Sequence, residues 1–143
     1  MLQQLAYELR MMQLYYHDCH HRTTGLSFYA NHAQFESFYN EVEGDFDSVM
    51  EETLRIMGLN KFTLRTQLQM IFDLLKDYDL ENPDLMLMYH QALKMELSVT
   101  CLIETLRKNT ELGTETLLGD VARRSGVRMY KIQSILNYST EQA

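Results

Sequence analysis

A single proline, Pro83, and six glycines leave this chain of 143 residues few places to turn. No stretch is rich in Gly, Ser or Pro, which argues against a flexible linker and against an all-β fold built on tight turns. Tryptophan is absent, and Cys19 and Cys101 form neither a CxxC pair nor a disulfide framework. That cysteine usage fits a reducing compartment. Basic residues are outnumbered, 13 Lys and Arg against 20 Asp and Glu, for a net charge of −7. With a pI near 5.1, the chain is poorly suited to broad contact with a phosphate backbone, which needs clustered Lys and Arg. The opening MLQQLAYELRMMQLYY lacks the basic region and long apolar stretch of a secretory signal. No uncharged run approaches the roughly 20 residues needed to cross a bilayer. These absences lead us to expect one cytoplasmic domain, long enough to bury a core, with no membrane span.

What is present is helical periodicity. Leu2, Leu5, Leu9, Met12 and Tyr16 recur at steps of three and four, and the next step lands on His20, which should face the interior. This predicts a first helix over 2–21. Gly25 and two threonines make a short turn, and Ser27 is placed to cap a second helix over 28–57. Phe28, Phe35, Tyr39, Val42, Phe46, Val49 and Met57 form its apolar side, with Gly58 at its C-terminal end. A crossover follows from Leu59 to Asn82, holding a short helix over 64–76 with Leu64, Leu68, Ile71, Leu74 and Leu75 as its apolar side. Asn82, Pro83 and Asp84 read as cap, first-turn proline and first-turn acid of a third long helix over 83–109. Its apolar row is Leu85, Met88, Tyr89, Leu93, Leu97, Cys101 and Leu106. Gly113 should break it, and Thr114 should cap a fourth helix over 115–138, carrying Leu117, Leu118, Val121, Ser125, Met129, Ile132 and Leu136. Short links within each helix pair and one long crossover between the pairs predict an all-α, ferritin-like four-helix bundle with an extra helix in the crossover.

Two imidazoles and three carboxylates then stand out: His20, His32, Glu36, Asp47 and Glu51. Mixed His and carboxylate ligation suits iron, whereas thiolate-rich sets favour zinc or iron–sulfur clusters. Glu36 and Asp47 are eleven residues apart, about 16 Å along a straight helix, so they cannot share an ion within one chain. Positions 32, 36, 47 and 51 nevertheless fall within about 100° of arc on the second helix. The pairs His32/Glu51 and Glu36/Asp47 also share one midpoint, between residues 41 and 42. If two copies of this helix pack antiparallel about a two-fold axis there, His32 lies level with the partner's Glu51 and Glu36 with the partner's Asp47. Two equivalent sites result, with a dimer as the minimum unit, and His20 can join the His32 end.

In order and spacing, His20, Gly25, Phe28, His32, Glu36, Asp47 and Glu51 fit H-x4-G-x2-F-x3-H-x3-[DE]-x10-D-x3-E. This resembles the pattern of the Dps mini-ferritins, the DNA-binding proteins from starved cells. The motif is specific in the first third of the chain, and the helix layout extends the likeness over most of it. The resemblance implies a ferroxidase centre with His20, His32 and Glu36 from one subunit and Asp47 and Glu51 from its two-fold partner. It further implies a dodecameric shell that oxidises ferrous iron, often with peroxide, and stores the ferric product against oxidative stress. This sequence departs from the pattern in three ways. His21 stands where the family often has tryptophan, with Tyr130 a rough match to a second tryptophan; Glu36 replaces the commoner Asp; and there is no Lys/Arg-rich tail, so direct DNA binding is not expected. The alternative is a ferritin-like binding or structural protein whose site holds zinc or is inactive.

Taken singly, the acids at 47 and 51 read as a solvated helix face and His20 as an interior histidine. His17 with His20 or His21 has ligand spacing for a second metal, Cys19 reads as a packed thiol, and His90 has no partner at suitable spacing.

Overall fold

The structure, a computed structural model, describes residues 2–58 and 62–142, with the backbone alone for 138–142. The first residues of the crossover, 59–61, and the last residue of the STEQA tail lie outside the described residues. The described residues form five α-helices, with no strand among them. They are α1 (Leu2–Arg22), α2 (Phe28–Met57), α3 (Leu64–Leu75), α4 (Leu85–Leu106) and α5 (Leu112–Gln142), and a 3-10 turn at Arg107–Asn109 joins the last two.

Side-chain bonds give the direction of each long helix. Glu8 meets Ser98 while Tyr15 meets Met88 and Gln91, so α1 and α4 run antiparallel. Glu41 meets Arg128 while Asp45 meets Arg124, so α2 and α5 do the same. Because α1 and α2 also form a hairpin, α2 and α4 point the same way. The chain must therefore return along the bundle between them, and α3 lies on that return, packed against α1.

α1 is the most enclosed element because α2, α3 and α4 all pack on it. Its apolar row from Leu5 to Tyr16 is buried, and so are Ala6, Tyr7, Met11, Tyr15 and Cys19 on its other sides. The α2 core contribution is Phe35, Phe38, Val42, Phe46 and Val49. Gly58 ends α2 at a φ of 101°, its N–H bonding to Leu54 O, a conformation that favours glycine. Ser27 occupies the position before α2, but its hydroxyl makes no capping bond; instead Asn31 Nδ2 donates to the Ser27 carbonyl.

Several sequence expectations are corrected. Asp84, not Asn82, caps α4, accepting from Met86 N, so Pro83 precedes the helix instead of opening it. α5 begins at Leu112, so Gly113 and Thr114 are inside it and the break falls around Thr110 and Glu111. The buried row of α4 is Met88, Ala92, Met95, Val99, Ile103 and Leu106, flanked by Tyr89 and Glu96, while Leu97 and Cys101 are exposed. The helix has apolar residues on two sides, and the side carrying Ala92 and Val99 faces the interior. On α3 only Ile71 is buried; Leu64 and Leu68 join Phe72 on an exposed apolar row.

Candidate metal centre

The end of α1 and the start of α2 are tied by two histidines. His20 Nδ1 lies 2.7 Å from the His32 carbonyl oxygen, and His32 Nδ1 lies 2.7 Å from the His20 carbonyl oxygen. A carbonyl can only accept, so both Nδ1 atoms carry the proton. In each neutral ring the lone pair is then left on Nε2, where a metal can bind. The rings stack with centroids 3.5 Å apart and planes at 21°.

The neighbouring residues explain why the hairpin closes this way. Gly25 has a φ of 91°, and its carbonyl accepts the Phe28 N–H that starts α2. Phe28 then stacks on the other side of His32 at 4.8 Å, completing a three-ring pile with His20. At the α1 end, Thr23 N–H bonds Cys19 O, and Arg22 reaches the Asn82 carbonyl to anchor the turn to the crossover. Tyr39, one α2 turn beyond Phe35, meets the edge of His20 at 5.4 Å and stacks on His17 at 4.2 Å. His20 is thus interior, as its spacing required.

The carboxylates are placed differently. Glu36, Asp47 and Glu51 are all exposed on α2 and have no hydrogen bond or ion pair among the described residues. Within one chain the described residues contain no group of three His, Cys, Asp or Glu side chains able to hold a metal. So the fold brings together His20 and His32, but not Glu36, Asp47 or Glu51. Tyr130 is 70% exposed on α5 and has no ring contact with the histidines. His90 is exposed on α4. Burial pushes the Cys19 thiol up to about 12, so it is protonated at neutral pH.

A second polar constellation lies among the long helices, outside the five residues singled out by spacing. Glu96, fully buried, accepts from Tyr16 Oη at 2.6 Å, Ser125 Oγ at 2.7 Å and two nitrogens of Arg128. Arg128 also bonds Glu41, and Arg124 bonds Asp45 Oδ1. With its carboxylate taken up by these donors, the network holds helices α1, α2, α4 and α5 together instead of offering open ligands. The signal in the sequence was Arg128 itself, which continues the row Leu118, Val121, Ser125 toward Ile132 at helical steps.

Compared with known proteins, the chain matches no protein-family profile and no curated protein sequence.

Proposed function

We propose that the chain is a Dps-like mini-ferritin with a ferritin-like bundle, whose ferroxidase centre is completed by a second copy of itself. The observation that carries this reading is the reciprocal His20–His32 clasp, which fixes two imidazoles in the metal-binding tautomer beside an exposed acidic row. Stacked rings with centroids only 3.5 Å apart are too close to converge on one ion; they suit two ions, one per Nε2, as in a two-metal site. Glu36 from the same subunit and Asp47 and Glu51 from the two-fold partner supply the oxygen donors, as their common midpoint on α2 allows. All three being exposed and unpaired in the single chain, they are available to a partner. The exposed row Leu64, Leu68 and Phe72 on α3 supplies apolar surface for self-association.

Iron is the substrate. Two bound ferrous ions give up one electron each to hydrogen peroxide; the O–O bond breaks, and with two protons two waters form. No one-electron step releases hydroxyl radical. The ferric product passes to a hollow shell of twelve subunits, with carboxylates nucleating mineral. With seven more acids than bases, the chain acts on iron and not on DNA directly. Among the described residues no helix is long and apolar enough to cross a membrane, and the cytoplasm is the proposed location.

Adding ferrous iron anaerobically, then peroxide, and following ferric absorbance tests the reaction. Oxidation no faster than in buffer alone sinks it and leaves the second reading, a bundle holding zinc or serving as a structural module. The absence of tryptophan from the chain favours that reading. A dodecamer of 16.9 kDa chains should size at about 200 kDa; a monomer would remove the shared site.

A further inference from the structure

Four of the five histidines gather where α1 ends, and two of them take no part in the clasp. We infer that His17 and His21 form a separate two-imidazole clamp on the surface of α1 for a borderline divalent cation, zinc or copper(II). They stand four residues apart, on one face of the helix. Their ring centroids are 4.7 Å apart with planes at 37°. An imidazole nitrogen binds zinc at roughly 2.0–2.1 Å, which puts its ring centroid about 3.2 Å from the ion; two rings meeting at roughly 90–110° then have centroids about 4.5–5.2 Å apart. The His17–His21 pair falls inside that window. His20 and His32 at 3.5 Å fall below it, and His17 and His20 at 6.1 Å above it. His20 and His21, at 5.3 Å, sit just outside, with His20 held by the clasp.

The clamp is preorganised on one side and open on the other. Tyr39 stacks on His17 with planes at 24° and fixes that ring, while His21 is exposed and can turn to meet an ion. Neighbouring groups do not compete: Asp18 is paired with Arg22, and Cys19 is a buried thiol. Water completes the coordination sphere. Imidazole pairs hold copper(II) and zinc more tightly than ferrous iron, so this site selects against the substrate of the adjoining centre. It rests on ring geometry alone and stands whether or not the chain oxidises iron.

The test titrates the full chain with zinc, and separately copper(II), against a chromophoric chelator. H17N and H21N should each weaken one equivalent per chain by more than about tenfold, at least the effect of losing a second-shell partner. H32N and D47N should leave that equivalent in place. Circular dichroism on each variant checks the helix, and His21, being exposed, tolerates replacement. Unchanged affinity in both H17N and H21N overturns the clamp, as does no uptake by the native chain at micromolar metal. Equal loss in H32N assigns the ion to the clasp and overturns it too. Failure of ferrous oxidation with this equivalent intact would strike only the ferroxidase reading.

Discussion

Arg128 donates to Glu96 through two nitrogens at once, Nε to Oε2 at 2.6 Å and Nη2 to Oε1 at 3.0 Å, with both residues inside the bundle. Removing Arg128 leaves the Glu96 charge buried with only the Tyr16 and Ser125 hydroxyls, and removing the Glu96 charge leaves Arg128 only its Glu41 and Asp45 contacts. R128M or E96Q is therefore expected to cost about 3–5 kcal/mol, the range for a broken buried pair. The double substitution should cost less than the sum of the two, because the stranded charge is gone. Urea unfolding at fixed protein concentration measures this; additive losses below about 1 kcal/mol would mean the pair contributes little.

Glu8 is buried with Ser98 Oγ donating to Oε1, while Oε2 has no hydrogen-bond partner among the described residues. Burial raises its carboxyl pKa above 4.5, against the lowering effect of the Ser98 bond. The native state thus holds this proton more tightly than the unfolded chain does. Its contribution is fully present below the unfolded value and is lost as pH rises through the folded one. E8Q removes the ionisation, so its stability relative to the native chain should improve from acid to neutral pH. A difference between the two proteins that stays flat over that range would rule out Glu8 as a linked group.

Gly119 and Gly126 lie exposed within α5, and a Cβ added at either meets nothing within 4 Å among the described residues. G119A and G126A should each stabilise by about 0.4–1 kcal/mol. G25A and G58A should do the opposite, since both glycines have positive φ, 91° and 101°. Thermal melts at one protein concentration separate the two classes. Destabilisation by G119A or G126A would show that a neighbouring subunit occupies that space.

H32N and D47N should each abolish iron oxidation when made singly. Mixed after dissociation and reassociation, they should regain activity, because some dimers then carry one intact site formed by native residues from both chains. No recovery, in a mixture shown to exchange subunits, would place the donors within one chain and end the shared-site reading.

Helix periods were legible in α1 and α2 because their buried sides are built from large apolar residues. His20 could be assigned to the interior from the same count. Legibility failed where the interior is polar or small. Glu96 and Arg128 were passed over because charged residues are usually exposed, although Arg128 sits at a core step of α5. On α4 the hydrophobic pattern favours the larger Leu97 over Ala92 and Val99, yet Leu97 is half exposed and the smaller two are buried. The clasp was beyond reach, since spacing can place two histidines at one end of a hairpin but cannot reveal that each ring bonds the other's backbone.

That mutual bonding ties the placement of both imidazoles to hairpin closure. The hydrogen bond that sets each imidazole's tautomer comes from no side chain that a single substitution could remove; the main chain of the other histidine supplies it. Aligning the rings and joining α1 to α2 are therefore a single folding event. Ions held one on each ring would bind only the closed hairpin, so amide exchange through residues 19–32 should slow on loading, with metal and turn stabilising one another across the start of the fold.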